Sequence, residues 1–124
     1  MNDTDVMKIC DVVRQTSFEL HRYLRSGFLE KVYESGLVHR LTLKGVKLER
    51  QKLLRVLDED GYVLGEYACD LLVEGCLIVE LKAVSKLCNE HIAQLFGYLR
   101  ACNVSHGLLV NFGGPILEVR KYKL

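Results

Sequence analysis

Two carboxylates and an ammonium group in this sequence have the types and spacing that metal-assisted hydrolysis requires. Asp70 begins the segment DLLVEGCLIVELK, which covers residues 70–82, and Glu80 and Lys82 lie at its end. Paired carboxylates can hold a hard divalent cation such as Mg²⁺, which takes oxygen ligands. A neighbouring lysine can move a proton or stabilise developing negative charge. This chemistry requires that the fold bring the three side chains together.

The apolar pattern of the segment predicts a hairpin that does so. Side chains alternate between the two faces of a strand, so Glu80 and Lys82 share one face. The apolar sets on the other face of the two strands are Cys69, Leu71 and Val73 and then Leu77, Val79, Leu81 and Ala83. If both sets meet one core, Val73 lies opposite Leu77 across the loop 74–76, and Asp70 lies opposite Glu80.

Opposed carboxylates need a reason to be close together. Directly paired residues of antiparallel strands have Cβ atoms ~4.5–5.5 Å apart, so Asp70 and Glu80 repel each other. Lys82 offsets this repulsion in part, and a divalent cation would offset it better. The alternative is that the two acids are charges at the rim of the sheet, held by Lys82 and water.

Polar residues on two predicted helices could complete the site. His91, Gln94 and Tyr98 follow one another at helical spacing, so they form a polar stripe that can lie along the carboxylate face. The alternative is an exposed His91 and a Tyr98 at the boundary of the core. Glu30 and Tyr33 share a face of an earlier helix, although an acid in the first turn of a helix is favoured by the helix dipole in any case.

Periodicity and turn residues predict helix, helix, four strands, helix and two strands. The helices cover about residues 5–24, 29–43 and 89–102, and the strands cover 46–50, 53–57, 62–73, 77–83, 107–112 and 117–122. A helix that returns the chain to the sheet makes part of that sheet parallel. We therefore expect an α/β fold with a mixed sheet and flanking helices, as a single domain over residues 1–124.

Composition predicts a cytoplasmic globular protein. The 124 residues are 49% hydrophobic and 27% charged, with a net charge of +1. No apolar stretch reaches the ~18–20 residues that cross a bilayer, and the first residues are acidic where a secretory signal is basic. Five cysteines, an odd number, do not indicate a disulfide framework. Basic residues cluster between Arg40 and Arg55 and again from Arg120 to Lys123, as solvated faces or as phosphate-binding surfaces.

Several motifs together resemble known families. The G-x-x-E-x-x-Y run over residues 27–33, with the segments around Asp70, Glu80 and Gly113, resembles the small prokaryotic GxxExxY proteins over nearly the whole chain. The Asp70…Glu80-x-Lys82 element is similar to that of the wider PD-(D/E)XK nuclease superfamily. Gln94-x-x-x-Tyr98 resembles the Q-x-x-x-Y motif of its RecB-like exonuclease branch.

The resemblance implies a restriction-endonuclease-like core that uses Mg²⁺ or Mn²⁺. Asp70, Glu80 and the backbone carbonyl of Leu81 would be metal ligands, Glu30 would add a helical acid to the metal shell, and Lys82 would orient the attacking water and stabilise the phosphate. Gln94, Tyr98, His91 and Tyr33 would support the site or contact substrate. The chain departs from the pattern at Cys69, where proline is usual before the aspartate, and at residues 25–27, which read Arg-Ser-Gly instead of Gly-Pro-Gly. Neither departure removes a catalytic group.

Three functions compete at this point. The preferred hypothesis is a metal-dependent nuclease that acts on DNA or RNA, and the alternative is a catalytically silent module of the same fold that binds nucleic acid or protein. The third is a small regulatory or structural protein without a ligand. Because 14.2 kDa leaves little room for a sequence-reading module, we expect modest sequence specificity, or a homodimer or partner that supplies it.

Overall fold

The computed structural model describes residues 2–124, so residue 1 of the predicted domain lies outside the described residues. Within residues 2–124, three helices and five strands form in the predicted order, with one strand fewer than expected. They are α1 (Asp3–Leu24), α2 (Glu30–Leu43), β1 (Leu48–Leu57), β2 (Val63–Val73), β3 (Leu77–Lys82), α3 (Asn89–Cys102), β4 (His106–Asn111) and β5 (Glu118–Lys123).

The missing strand is a correction to the prediction. Residues 46–50 and 53–57 were expected as two strands, but the structure joins them in the single strand β1. Arg50 pairs with Leu71 and Lys52 pairs with Cys69, so the register with β2 is the same on both sides of Gln51. No Gly, Pro, Asn or Asp stands between the two segments to reverse the chain. A local distortion at Gln51, which has a φ of 52°, takes the place of a turn.

The sheet is mixed and has the order β1-β2-β3-β4-β5. Only β3 and β4 are parallel, and α3 is the crossover between them, as the sequence predicted. The helices cover both faces of the sheet: α1 and α2 pack on one side, and α3 packs on the other. Strand β3 is therefore buried on both faces, which explains why its sequence is almost continuously apolar.

Helix termini agree with the sequence to within two residues. Helix α1 begins at Asp3 instead of residue 5, because the side chain of Asn2 accepts a hydrogen bond from the N–H of Asp5. Helix α2 ends before Gly45, whose φ of 80° suits the residue that closes a helix. Among residues 2–124, no helix is both long enough and apolar enough to span a membrane.

The β2–β3 hairpin has the predicted register. Val73 pairs with Leu77 and Leu71 pairs with Val79, across the predicted loop 74–76. The predicted apolar face is wrong at one position, however. Leu71 and Val73 pack with α1 and α2, whereas Cys69 packs on the α3 side. The alternation of β2 therefore shifts at Asp70, directly across from the distortion in β1.

Candidate active site

The strands β2 and β3 separate at Asp70 and Glu80, and the two carboxylates bond to the backbone at the opening. The N–H of Asp70 donates to Glu80 Oε1 at 2.8 Å, and the N–H of Leu81 donates to Asp70 Oδ2 at 2.8 Å. Each acid thus accepts a bond from the strand of the other. We call Asp70 and Glu80 the carboxylate fork. Their side chains are fixed by the backbone rather than left free at a rim.

Burial controls the charge of the fork. Glu80 is only 4% exposed, and this burial, followed by the charge of Asp70, raises the pKa of Glu80 to about 8. Burial also raises the pKa of Asp70, while the bonds from the Leu81 N–H and from Gln51 act in the opposite direction. Two anions held in this way are costly without a cation, because each lacks the solvation that water would supply.

Helix α3 holds the lysine of the predicted motif. Lys82 Nζ donates to Gln94 Oε1 at 3.0 Å, so the side chain of Lys82 is directed along the α3 side of the sheet. Tyr98 lies one helical turn after Gln94 and is 9% exposed. Burial raises the pKa of its hydroxyl, and the charges of Glu80 and Asp70 add to that effect. The structure therefore brings Gln94 to Lys82, and it holds Tyr98 where the charges of the carboxylate fork act on its hydroxyl.

The end of β3 is fixed independently of these side chains. The N–H of Phe112 donates to the carbonyl of Lys82 at 2.8 Å. Asn111, at the end of β4, makes two hydrogen bonds to the backbone of Val84. Its side-chain Nδ2 donates to the Val84 carbonyl, and its Oδ1 accepts from the Val84 N–H. These hydrogen bonds fix the backbone at Lys82 and just after it, so the lysine side chain projects from a rigid strand end.

His91 does not join the site. Its Nδ1 accepts a hydrogen bond from the N–H of Cys88 at 3.1 Å, which closes the first turn of α3. Within residues 2–124, no hydrogen bond or ion pair links His91 to Asp70, Glu80 or Lys82. Its place at the helix terminus satisfies backbone groups that the helix leaves free.

Glu30 and Tyr33 occupy different environments, although they share a motif. Tyr33 is fully buried, and its hydroxyl donates to the carbonyl of Arg25 at 2.6 Å and accepts from the N–H of Phe28 at 3.2 Å. It thereby fixes the loop that leads into α2. Glu30 lies at the surface, yet desolvation by its surroundings raises the pKa of its carboxyl, and the charge of Asp70 raises it further. The charge of Asp70 therefore acts on Glu30, but within residues 2–124 no hydrogen bond or ion pair joins the Glu30 side chain to Asp70 or Glu80.

Two residues that the sequence did not point to support Asp70. Gln51 Nε2 donates to Asp70 Oδ1 at 3.2 Å and also to Glu34 Oε1. Glu34 is 2% exposed, and its other oxygen accepts from Arg50 Nε at 2.8 Å. The backbone distortion at Gln51 directs this amide toward both acids. Glu34 lies one turn after Glu30 on α2, which is the only signal that could have indicated it.

The predicted basic clusters do not form free surfaces. Arg50 pairs with Glu34, Lys52 with Glu49 at 3.1 Å, and Lys44 with Glu19 at 2.9 Å. At the other end of the chain, Arg120 pairs with Glu118 and Lys123 pairs with Asp3. Most of these charges are therefore neutralised locally, and clustering along the sequence does not create one phosphate-binding face.

The donors at the fork fit a hard divalent cation. Carboxylate oxygens are the ligands that Mg²⁺ prefers, and an oxygen that accepts one N–H keeps a further lone pair. Among residues 2–124, no three side chains of His, Cys, Asp and Glu are grouped closely enough to hold a metal ion by themselves. Asp70 and Glu80 would therefore supply two ligands and leave the other positions to backbone, water and phosphate, which is usual for Mg²⁺.

The sequence model of the PD-(D/E)XK nuclease superfamily matches residues 7–122. The chain belongs to this superfamily. The match includes every element except the start of α1 and the last residue of β5. Membership implies a nucleic-acid substrate and a divalent metal, because these are general properties of the superfamily, without identifying either one.

The fold is also similar to a solved structure. The crystal structure of SSO0001 aligns with 75% of this chain and 48% of its own chain, at 14% identity and a TM-score of 0.55. The chain thus spans about half the length of that protein. At this identity the likeness concerns the fold alone, and it agrees with a restriction-endonuclease-like core. No curated protein matches the sequence.

Proposed function

We propose that the chain is a metal-dependent nuclease that hydrolyses phosphodiester bonds in DNA or RNA. The observation that carries the proposal is the carboxylate fork itself. Glu80 accepts the N–H of Asp70 and Asp70 accepts the N–H of Leu81, each at 2.8 Å, and Lys82 follows two residues after Glu80. If the two acids were only surface charges at a solvated rim, Glu80 would be exposed and its pKa would stay near the ordinary value. Instead Glu80 is buried, and its pKa is raised to about 8.

Each residue of the site has a proposed part in hydrolysis. Asp70, Glu80 and the backbone carbonyl of Leu81 would hold Mg²⁺ or Mn²⁺, which supplies positive charge to the phosphate and a more acidic water. Lys82 orients the attacking water and stabilises negative charge on the phosphate oxygens. The water oxygen gives up a proton and forms a bond to phosphorus while the bond to the leaving oxygen breaks, and the leaving oxygen takes up a proton in turn.

Other residues position these groups. Gln94 holds Lys82, and Tyr98 closes the α3 side of the fork. Glu30 is proposed as a helical acid that reaches the metal shell when the cation is bound. We also propose that the chain belongs to the GxxExxY group of the superfamily. Support comes from Tyr33, which orders the loop before α2 and so fixes the start of the helix that carries Glu30.

Cleavage assays test the proposal directly. Single-stranded DNA, duplex DNA and RNA are incubated with the protein and Mg²⁺ or Mn²⁺, and the products are separated on denaturing gels. We expect cleavage of at least one substrate by the wild type, none with EDTA, and none with Glu80→Gln. Glu59→Gln is the matched control, because Glu59 is an exposed acid in the β1–β2 turn. Cleavage that persists in Glu80→Gln would contradict the proposal, and binding without cleavage would favour the silent module.

The predicted homodimer and cytoplasmic location stay predictions. The site described above uses residues of one chain, so the proposed chemistry does not depend on a second copy.

A further inference from the structure

A groove of about 740 Å³ lies beside the carboxylate fork, between α3 and the β1–β2 ribbon. We call it the α3 groove. It is lined by Arg55, Val56, Leu57, Tyr67, Gln94, Gly97, Tyr98, Arg100 and Ala101. Its volume lies within the range of about 300–1,000 Å³ that is usual for ligand sites. The groove has room for a small ligand or for part of a larger one.

Two residues of α3 connect the groove to the proposed catalytic groups. Gln94 lines it and accepts the hydrogen bond from Lys82 Nζ. Tyr98 also lines it, and the charges of Glu80 and Asp70 act on the hydroxyl of this tyrosine. A chain whose phosphate lies at the fork would therefore place its next nucleotide in the groove.

The wall of the groove offers an aromatic surface. The rings of Tyr67 and Tyr98 have centroids 5.9 Å apart and are tilted by 49°. Tyr98 is nearly buried, but Tyr67 is 53% exposed. Burial of the Tyr67 ring against a ligand would be favourable. Val56 and Leu57 of β1 also line the groove beside these rings. An exposed ring beside apolar side chains is suited to the flat face of a base.

The charge of the groove suits a phosphate chain. Its nine lining residues, all in the described part of the chain, include two arginines and no acid. Arg55 is 3.6 Å from Glu66 on the exposed ribbon, so its charge is partly compensated. No hydrogen bond or ion pair occupies the guanidinium of Arg100 within residues 2–124. Arg100 is therefore available to contact a phosphate.

We infer that the α3 groove binds an unpaired nucleotide next to the scissile phosphate, with its base stacked on Tyr67 and a neighbouring phosphate at Arg100. This inference rests on the proposed nuclease function and specifies its substrate as single-stranded nucleic acid. The bases of a duplex are stacked on one another and show only their edges in the grooves, so an aromatic platform has no base face to meet there. Aromatic platforms with basic neighbours are the general means of binding single strands.

Binding in EDTA tests the inference separately from cleavage. A fluorescein-labelled oligothymidylate of about ten nucleotides, a length typical of one single-strand site, is titrated with the full chain at low ionic strength. Fluorescence anisotropy gives its Kd, and a duplex of the same length is measured in parallel. We expect the wild type to bind the single strand more tightly than the duplex. Tyr67→Ala should weaken single-strand binding roughly 5- to 150-fold, the usual loss for one base stack.

A second variant fills the groove without removing an aromatic ring or a charge. Gly97 lies on the face of α3 that lines the groove, and a Cβ at this position would meet nothing within 4 Å. Gly97→Leu should therefore fold, with equal or higher Tm because glycine is a poor residue inside a helix. It should weaken single-strand binding as Tyr67→Ala does. Tyr23→Ala is the matched control, since Tyr23 is an exposed tyrosine on α1 at the opposite face of the sheet.

Three results would overturn the inference: no measurable binding of the single strand, wild-type binding in both groove variants, or equal binding of the duplex. The outcome is distinguishable from failure of the proposed function. Binding that depends on Tyr67 in a protein that cleaves nothing would contradict the nuclease proposal and leave the groove assignment intact. Cleavage by a protein whose single-strand binding does not depend on Tyr67 would support the nuclease proposal and contradict the groove assignment.

Discussion

Two neighbouring regions meet at Lys82 and Gln94: the carboxylate fork, and the α3 groove beside it. In the fork, Asp70 and Glu80 are largely buried and each accepts a backbone N–H bond from the other strand. In the groove, Tyr67 is half exposed and the guanidinium of Arg100 has no partner among residues 2–124. Groups that perform chemistry need fixed geometry. Groups that hold a flexible chain need accessible surface.

The difference leads to separate kinetic expectations. Changes in the fork remove interactions with the transition state, so they should lower kcat. Changes in the groove remove binding that substrate and transition state share, so they should raise KM. A groove variant that lowered kcat alone would show that the groove acts on the transition state, and the two regions would then not have separate functions.

The largest effect is expected for Glu80→Gln. The glutamine oxygen can still accept the N–H of Asp70, so the fold should be kept while the anionic metal ligand is lost. A loss of several kcal/mol of charge stabilisation corresponds to at least about 1,000-fold in kcat. Single-turnover cleavage measures this loss, and circular dichroism checks the fold. A kcat within tenfold of the wild type would contradict the assignment of Glu80.

Lys82→Met should lower kcat roughly 100- to 1,000-fold, because one positioned cation or proton-transfer group usually contributes that much. The methionine keeps the length of the side chain but cannot donate to Gln94. Metal binding should remain close to wild type. Lys86→Met provides the control, since Lys86 is exposed in the loop after β3. If Lys82→Met instead abolished metal binding, its role would be to position the fork.

Stability should depend on pH through Glu80. A raised pKa means that the folded state holds the proton more tightly, so this stability is complete below about pH 4.5 and is lost as the pH rises to about 8. We expect the unfolding equilibrium constant of the wild type to rise on the order of 1,000-fold over this window. Urea unfolding at several pH values measures the change. Glu80→Gln should largely remove the slope, and an unchanged slope would place its origin elsewhere.

Gln51→Ala should weaken Mn²⁺ binding about 10- to 100-fold, the usual cost of removing a group that orients a metal ligand. The alanine leaves Asp70 Oδ1 and Glu34 Oε1 without the amide that joins them. Gln51→Gly separates this effect from backbone strain, because glycine tolerates the φ of 52°. It should be about 1 kcal/mol more stable than Gln51→Ala while binding Mn²⁺ equally weakly. Wild-type affinity in both variants would show that Asp70 does not depend on Gln51.

The smallest effect is expected in the groove. Arg100→Gln should raise KM for a single strand by up to about tenfold, as expected when one charge-assisted contact is lost at an exposed site. The value of kcat should not change. Steady-state kinetics measures both values. An equal fall in kcat would mean that Arg100 acts on the transition state, and the two regions would then not be functionally distinct.

The sequence predicted the fold and the centre of the site because both depend on short-range patterns. Alternating apolar residues set the register of β2 and β3, which placed Asp70 opposite Glu80. Helical spacing placed Gln94 and Tyr98 together. The same reasoning wrongly divided β1 in two at Gln51, although no turn-forming residue stands between the two segments.

The remaining parts of the site come from packing between distant elements. Glu34, Gln51 and Asp70 lie on α2, β1 and β2, and nothing in the local sequence of any one of them indicates the other two. Tyr67 and Arg100 likewise face the same groove from a strand and a helix. His91 is a different case. Its spacing matched the polar stripe, but it lies at the start of α3, where its ring bonds to the backbone.

Binding of Mn²⁺, measured by titration calorimetry, tests the central claim most directly because it requires no knowledge of the substrate. Wild type and Glu80→Gln are titrated above pH 8, where Glu80 is ionised without metal, and each titration is repeated with inorganic phosphate. We predict that the wild type binds Mn²⁺ and that Glu80→Gln does not. Absence of binding to the wild type in both titrations, or equal binding to the variant, would contradict a metal site at the carboxylate fork.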